Sequence, residues 1–219
     1  MHPSDVEHVY TDGRHLFTRN LVPGRDVYGE ELVLSGGVEY RSWSPNRSKL
    51  SALLVKGSRI FPFAKRTNVL YLGAASGTTV SHISDIVAEG LVYCVEMSAV
   101  PFRKLLGVAE DRLNLIPMLA DAGRPETYSA QLGRVDILYQ DVSQRDQVSI
   151  FIKNLRFLKE LGTGYLMVKA RSADATAKPE TIFKKAKARL EEAGLTVLES
   201  VDLSPYADDH AALVVEKRS

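Results

Sequence analysis

A run of small residues beginning at Gly73 is the first place where this sequence could hold a small molecule. It follows the apolar stretch NVLYLG, residues 68–73, which is typical of a buried strand, and it opens a helical pattern over 77–89. Small side chains at such a turn let the backbone approach a ligand closely. The run lacks the spacing of dinucleotide and triphosphate loops, and alone it is also compatible with a tight packing turn. Its candidate binding residues are Gly73, Ala74, Ala75, Gly77, Thr78 and Thr79.

Two carboxylates follow at the ends of the next predicted strands. Glu96 ends strand 91–96, where a carboxylate can accept hydrogen bonds from both hydroxyls of a ribose. Asp121 and Ala122 follow strand 114–119. Taken together, the turn and the two carboxylates favour an adenosine-containing cofactor over a packing turn.

Alternating strands and helices must position these residues. Apolar strands that alternate with helical patterns are typical of a mostly parallel sheet covered by helices on both faces. Ligands bind such sheets beyond the carboxyl ends of the strands. Strands are predicted over 68–73, 91–96, 114–119, 135–142, 164–170, 195–201 and 211–217, and helices over 77–89, 98–112, 144–161 and 179–193.

The connection between the last two predicted strands is short. Only nine residues, 202–210, join them, too few for a helical crossover, so these strands should pair antiparallel. The predicted fold class is therefore α/β, with the antiparallel last strand found in Rossmann-type S-adenosylmethionine-dependent methyltransferases. The same hairpin places His210 at the ligand-binding edge of the sheet.

The first 40 or so residues indicate a separate β structure. Apolar and polar positions alternate on both sides of a turn at Asp12-Gly13. A short helix, LSALLVKG, follows and is predicted to end at Gly57. We therefore predict a small N-terminal β domain over 1–45 and a Rossmann-type domain over 46–219. The apolar residues of the small domain should pack on the main domain or on another chain: Val6, Val9, Leu16 and Phe17.

Charge is balanced overall but segregated along the chain. The net charge is +1, from 28 basic and 27 acidic residues, whereas residues 41–66 hold seven basic residues and no acidic one. Residues 151–189 hold ten basic and three acidic residues. Such segregation can build a phosphate-binding face on a nearly neutral protein, although lysines that merely solvate helix faces would give the same pattern.

Several classes of protein are disfavoured by composition. No apolar run approaches the ~20 residues of a membrane span, and the N-terminal residues do not resemble a secretory signal. Cys94 is the only cysteine, which excludes an intrachain disulfide and a multi-cysteine zinc site, and no metal site is expected. These features predict a cytoplasmic protein.

Six segments in chain order resemble the fibrillarin family: GAASGTTVSHISDI, VYCVEMS, LADA, YQDVSQ, KNLRFLKELGTGYLMVKARSAD and PYADDH. The similarity also covers WSPNRSKL and the small β domain, and without a Gly/Arg-rich leader the chain resembles the archaeal form. Fibrillarins use S-adenosylmethionine to methylate ribose 2′-hydroxyls of RNA at sites chosen by box C/D guide RNAs. The resemblance therefore implies rRNA and tRNA substrates, a guide RNA, a Nop-domain scaffold protein and a ribosomal-type protein that binds kink-turns, with no membrane partner.

The resemblance also implies site residues. Besides the small-residue turn, S-adenosylmethionine would contact Glu96 and Met97, Asp121 and Ala122, and the run Asp141, Val142, Ser143 and Gln144. The family's catalytic Lys-Asp-Lys-His set maps onto Lys49, Asp141, Lys169 and His210. One departure is the stretch before the histidine, which usually carries a Glu-Arg-Asp-like string and here is Ala207-Asp208-Asp209.

We hypothesise a division of labour within that set. A ribose hydroxyl is a poor nucleophile until a base accepts its proton, and a partly desolvated lysine beside another cation loses its own proton more easily. Lys169 would be the base, Asp141 would orient it and the neighbouring groups, and Lys49 and His210 would position the ribose or phosphate.

Simpler roles are open for each of these residues. Asp141 could cap a helix beginning near Ser143, Lys169 could simply end a strand, and Lys49 could be a surface lysine. His210 could be a turn histidine satisfied by Asp208 or Asp209. Two other residues, His82 and Cys94, are predicted to be structural.

Three functions are therefore distinguished: a guided ribose methyltransferase, a non-catalytic subunit of a ribonucleoprotein, and a methyltransferase for a protein or small molecule.

Overall fold

The N-terminal part of the chain forms an antiparallel sheet. The computed structural model describes residues 1–218. The predicted turn is confirmed: Asp12 Oδ1 accepts hydrogen bonds from the backbone N–H groups of Arg14 and His15, and Gly13 has the positive φ of +97° that glycine tolerates best. The strands are β1 (His2–Pro3), β2 (Tyr10–Thr11), β3 (Leu16–Arg19), β4 (Leu32–Ser35) and β5 (Val38–Ser42), in the order β1-β2-β3-β5-β4.

The larger sheet has seven strands and carries the predicted α/β fold. Its strands are β6 (Val69–Leu72), β7 (Val92–Glu96), β8 (Leu115–Leu119), β9 (Val135–Gln140), β10 (Leu158–Lys169), β11 (Leu195–Asp202) and β12 (His210–Lys217), in the order β11-β12-β10-β9-β6-β7-β8. The predicted reversal at the end of the chain is confirmed, because β12 pairs antiparallel with both β10 and β11.

Helices connect and cover these strands. They are α1 (Lys49–Val55), α2 (Thr78–Ile86), α3 (Ala99–Glu110), α4 (Gln147–Asn154), α5 (Ala170–Ala173) and α6 (Pro179–Glu192). Two short 3₁₀ turns, Pro125–Thr127 and Ser129–Gln131, lie between β8 and β9. Within residues 1–218, no helix is both long and apolar enough to cross a bilayer.

One predicted helix is wrong over its second half. The pattern predicted a helix over 144–161, but α4 ends at Asn154 and β10 begins at Leu158. Pairing with both neighbouring strands outweighs the local pattern here, since Leu158 pairs with Val135 of β9 and Thr163 with Glu216 of β12. A register shift between Leu158 and Thr163 hid the alternation that would have identified the strand.

The large sheet separates two hydrophobic clusters. Alternate strand residues point to opposite faces, so Tyr139 belongs to the first cluster and Leu138 to the second. Helix α1 and the N-terminal sheet pack on the first face: the cluster there includes Val6, Val9 and Leu53. Val6, Val9 and Leu16 therefore pack against the main sheet of their own chain, and Phe17 is buried. The division at residue 45 stays a prediction.

A buried ion network also joins the two sheets. Arg41 of β5 donates from Nε to Glu30 and from Nη1 to Asp85 of α2, at 2.6 and 2.8 Å. Arg112 donates to the other oxygen of Asp85 at 2.6 Å. The side chains of these four residues are at most 2% exposed, so the network fixes the N-terminal sheet against the helix that follows Gly77.

Candidate active site

Three polar side chains continue one face of the large sheet at its carboxyl edge. On this face β9 contributes Tyr139, β10 contributes Met167 and β12 contributes Ala212. Residues two positions further toward the edge lie on the same face, because side-chain direction repeats every second residue. Those residues are Asp141, Lys169 and His210.

Lys49 reaches the same edge from α1. Ser48 begins this helix by accepting a hydrogen bond from the Ser51 N–H, and the buried side of the helix packs on the first cluster. The Lys49 ammonium donates to both carboxylate oxygens of Asp141, at 2.9 and 2.7 Å. The two side chains are 24% and 23% exposed, so the pair remains open to a substrate at the sheet edge.

Lys169 and His210 are paired across β10 and β12. Next to this pair, the Ala170 N–H donates to the Asp209 carbonyl at 2.9 Å. On the opposite side of β10, the side chain of Gln147 bonds the backbone of Lys169. The Lys169 ammonium itself has no hydrogen-bond partner among residues 1–218, which leaves it available to a substrate.

The imidazole of His210 is held in one orientation. Its Nδ1 lies 2.7 Å from the carbonyl oxygen of Asp208, so Nδ1 carries the proton of this bond because a carbonyl can only accept. Burial lowers the pKa of His210, and the charges of Lys49 and Lys169 lower it further, while the Asp208 carbonyl and Asp141 oppose the shift. The neutral ring therefore presents Nε2 as an acceptor.

The structure decides between the roles open to Asp141. Helix α4 begins at Gln147 with Asp146 at its N-cap, so Asp141 does not cap that helix. Its carboxylate binds Lys49, and within residues 1–218 no hydrogen bond joins it to Lys169. Asp141 therefore binds Lys49, one of the neighbouring groups that it was expected to orient, and an effect of Asp141 on Lys169 stays a prediction.

A cleft of about 420 Å³ lies next to this cluster, a size usual for small-molecule sites. It is lined by the carboxyl end of β7, by residues that follow β6, β7, β8 and β9, and by Pro101 of α3. Asp141 belongs both to this lining and to the ion pair with Lys49, so the cleft and the polar cluster meet at one carboxylate. Nine predicted residues line it: Gly73, Ala75, Glu96, Met97, Ala122, Asp141, Val142, Ser143 and Gln144.

Glu96 is fixed at the wall of the cleft. One carboxylate oxygen accepts the N–H of Ala75 at 2.9 Å, and the other accepts the N–H of Ser98 at 2.7 Å. Each carboxylate oxygen can accept a second hydrogen bond. The side chain is therefore held in place while it keeps capacity for the two hydroxyls of a ribose.

Gly73 is required by a close backbone approach. It has φ +82°, and a Cβ at this position would lie 2.3 Å from the carbonyl oxygen of Asp141. Any side chain there would push apart the two loops that line the cleft. The non-glycine residue Ala75 also has a positive φ, of +49°, with its N–H bound to Glu96.

Gln144 closes another side of the cleft. Its Nε2 donates to Asp121 Oδ1 at 3.2 Å, and Asp121 also accepts the Gly123 N–H at 2.8 Å. The Oε1 atom of Gln144 is buried and has no partner among residues 1–218. An unpaired buried acceptor beside a cleft can be satisfied by a ligand donor.

The other predicted residues of the turn lie behind the cleft. Ala74 is buried, Gly77 caps α2 in the left-handed conformation, and Thr78 begins that helix. Thr79 is buried and donates to Ser48 Oγ at 3.0 Å, so it links the turn to the start of α1. Binding roles for these four residues and for Asp121 stay predictions.

Several lining residues were missed by sequence reasoning. Val95, Pro101 and Ala120 form apolar walls of the cleft. Val95 precedes Glu96 and Ala120 precedes Asp121, both of which were predicted. The position of these two predicted residues near strand ends was the signal that could have identified Val95 and Ala120. Gln147 carried no such signal, because its contact with Lys169 joins residues 22 positions apart.

The residues predicted to be structural are confirmed in that role. His82 is fully buried, with Nδ1 bound to Thr18 at 2.8 Å and Nε2 bound to Tyr28 at 2.7 Å. Cys94 is fully buried in the first cluster, and burial raises the pKa of its thiol. Among residues 1–218, no group of three or more His, Cys, Asp or Glu side chains is arranged to hold a metal.

The two basic stretches differ once folded. In 41–66, Arg41 is buried and paired with acidic residues of the network, whereas Arg47, Lys56 and Lys65 are exposed. In 151–189, Lys184 and Lys185 of α6 are exposed, whereas the exposed Arg171 pairs with Asp209. Each stretch therefore keeps exposed basic residues after folding.

Comparison with known proteins gives consistent relatives. A family model described as Fibrillarin matches residues 3–219. A protein from Methanosarcina barkeri, named fibrillarin-like rRNA/tRNA 2′-O-methyltransferase, is 49% identical over 95% of this chain and 93% of its own. The Aeropyrum pernix fibrillarin structure with natively bound S-adenosyl-L-methionine is 43% identical, with a TM-score of 0.86 over 92% of this chain and 88% of that one. The structure of a fibrillarin/Nop5p complex is 43% identical, with a TM-score of 0.89 over 98% of this chain and 99% of that one.

Proposed function

The chain belongs to the fibrillarin family, and we propose that it transfers a methyl group from S-adenosylmethionine to ribose 2′-hydroxyls of rRNA and tRNA. The observation that carries this proposal is the position of Asp141, which lines the cofactor cleft and binds Lys49 beside Lys169 and His210. S-adenosylmethionine bound in the cleft would then lie next to the groups that would receive the ribose.

The residues of the cleft fit this cofactor. The fixed carboxylate of Glu96 suits a ribose diol, and the apolar walls that include Val95 and Pro101 suit an adenine ring. The buried, unpaired oxygen of Gln144 suits a donor such as an exocyclic amine. When bound, S-adenosylmethionine supplies a methyl group activated by the positive charge on sulfur.

The side chains at the sheet edge align the acceptor and take up its proton. Neutral His210 can accept a hydrogen bond from a ribose hydroxyl through Nε2. Lys49, held by Asp141, faces the same space with an ammonium that attracts the adjacent phosphate. Lys169, as the proposed base, would accept the 2′-hydroxyl proton as the ribose oxygen bonds to the methyl carbon and the bond from that carbon to sulfur breaks.

The exposed basic residues support an RNA substrate. Lys184, Lys185 and Lys187 lie on the exposed side of α6, and Arg171 follows Lys169 by two positions. Contacts of this kind position a phosphate backbone without reading its sequence. Target choice is then left to a guide RNA.

Assembly with other proteins completes the proposal. The relative in complex with Nop5p is 43% identical over nearly the whole chain, which supports a Nop-domain scaffold as partner of this protein. The family resemblance further supports a box C/D guide RNA and a kink-turn-binding protein of ribosomal type. We also propose a cytoplasmic location, since the RNA substrates and an unpaired cysteine suit a reducing compartment.

Transfer of a labelled methyl group tests this function. The protein would be incubated with methyl-labelled S-adenosylmethionine and a target RNA, with and without scaffold, kink-turn protein and guide. We expect label at one ribose 2′-oxygen, chosen by the guide, only in the full assembly. Label in a protein or small molecule would contradict the proposed substrate, and absence of transfer despite cofactor binding would favour a non-catalytic subunit.

A further inference from the structure

The side chain of Gln147 forms two hydrogen bonds with the backbone of one residue, Lys169. Its Oε1 accepts the Lys169 N–H at 2.8 Å, and its Nε2 donates to the Lys169 carbonyl at 3.0 Å. Gln147 is only 2% exposed. Both functional groups of the carboxamide are therefore used at a single peptide position.

This contact replaces a missing strand. The parallel pairing of β9 with β10 ends at Gln140 opposite Leu166, but β10 continues for three more residues. At Lys169 the side of β10 that faced β9 has no strand partner, whereas the other side pairs with His210 of β12. A carboxamide offers one acceptor and a donor, as a peptide group does, so Gln147 continues the ladder at this point.

Gln147 is itself anchored to the strand it extends. Its backbone carbonyl accepts a hydrogen bond from Gln140 Nε2 at 2.7 Å. Gln140 is fully buried and is the last residue of β9. The chain of contacts thus runs from the end of β9, through the first residue of α4, to the last residue of β10.

We propose that Gln147 is a positioning residue for methyl transfer, which fixes the Lys169 backbone so that its side-chain nitrogen stands at a constant distance from the ribose. The inference rests on the proposed function, in which Lys169 accepts the proton. Side-chain placement errors of about 1 Å can cost up to ~10²-fold in rate, so loss of this clamp should lower the rate of transfer more than it lowers binding.

The test uses Gln147→Ala and Gln147→Glu in the assembled ribonucleoprotein. The glutamate variant matches the shape but lacks the donor to the Lys169 carbonyl, and it serves if the alanine variant does not fold. Asn114→Ala is the matched control: this amide is also buried, bonds the backbone carbonyls of Ser84 and Val87, and lies at the opposite edge of the sheet.

Single-turnover rates and amide exchange are measured together. We expect both Gln147 variants to lose at least ~10-fold in rate at saturating cofactor and RNA, with half-saturating cofactor concentration unchanged within ~2-fold. Exchange of the Lys169 amide should become faster in Gln147→Ala, which loses the acceptor of the Lys169 N–H. Asn114→Ala should lower thermal stability while the rate stays within ~2-fold of the wild type.

Two results would overturn the inference. One is a rate within ~2-fold of the wild type in the Gln147 variants, and the other is an equal loss of rate in Asn114→Ala. If the wild-type assembly transfers no methyl group, the proposed function fails, and the exchange measurement alone judges the clamp: unchanged protection of the Lys169 amide would refute it.

Discussion

Two ion-pair clusters on the same side of the sheet show opposite designs. In the buried network, Arg41 and Arg112 are matched by Glu30 and Asp85, and every side chain is at most 2% exposed. At the sheet edge there are two lysines, Lys49 and Lys169, but one carboxylate, that of Asp141, which binds only Lys49 and is 23% exposed.

The difference separates stability from chemistry. A buried charge without a partner is costly, so the network has two acids for its two guanidinium groups and uses them to hold the N-terminal sheet in place. The edge cluster keeps a surplus of positive charge and free hydrogen-bonding capacity, which a ribose and a phosphate would use. The same residue types therefore act structurally or chemically according to how fully they are paired.

The largest expected effect is on the buried network. Replacing Asp85 with Ala would leave two guanidinium groups buried without their shared acid, and we expect a loss of about 3–5 kcal/mol in the free energy of unfolding. Denaturant titration measures it. The exposed pair of Arg66 with Glu89 is the control, since Arg66→Ala should cost about 0.5 kcal/mol or less. Equal losses in the two variants would show that the buried network stabilises the fold no more than an exposed ion pair does.

At the edge cluster we expect the reverse balance. Asp141→Asn removes the charge that holds Lys49, and the single-turnover rate should fall about 10²-fold, while the free energy of unfolding changes by about 1 kcal/mol or less. Asp136→Asn is the matched control. Asp136 lies on β9, the strand that Asp141 follows, and binds Lys159 at 2.6 Å, away from the cleft. If Asp141→Asn lowered the free energy of unfolding strongly and left the single-turnover rate of the folded protein unchanged, the distinction between the two clusters would be wrong.

Acidification should lower the free energy of unfolding through His82, which Thr18 links to Asp85 of the buried network. Burial and the nearby Arg41 and Arg112 hold the pKa of His82 well below its ordinary value of 6.5. Below pH 6.5 the unfolded chain therefore binds a proton that the native chain does not, and stability falls as the pH falls. The free energy of unfolding should therefore decrease as the pH is lowered from 6.5 to 5.

His82→Gln is the variant that checks this pH dependence. Its free energy of unfolding should change less between pH 6.5 and 5 than that of the wild type, with the remaining slope including His210, whose pKa is also lowered. Equal slopes in the two proteins would assign the pH dependence to other groups.

Much of the cofactor cleft could be predicted because it depends on short-range pattern. Strand ends were visible as apolar runs, and residues at or just after them, such as Glu96 and Ala122, meet at one edge of a parallel sheet, whereas Gln144 was implied by the family resemblance. The antiparallel last strand followed from the length of one loop, and with it the position of His210.

The remainder depends on contacts between distant residues. The Lys49–Asp141 pair joins positions 92 apart and requires α1 to dock on the sheet. Arg41 looked like part of a basic surface because its acid, Asp85, lies 44 positions away. The start of β10 was hidden by a register shift, and the clamp of Gln147 on Lys169 depends on where β9 ends.

The most direct test of the account is Lys169→Ala in the full assembly, with cofactor binding and single-turnover transfer measured on the same preparation. We predict that the affinity for S-adenosylmethionine stays within ~2-fold of the wild type while the rate of ribose methylation falls at least ~10²-fold. A variant that methylates RNA at nearly the wild-type rate would contradict the central claim that Lys169 accepts the proton.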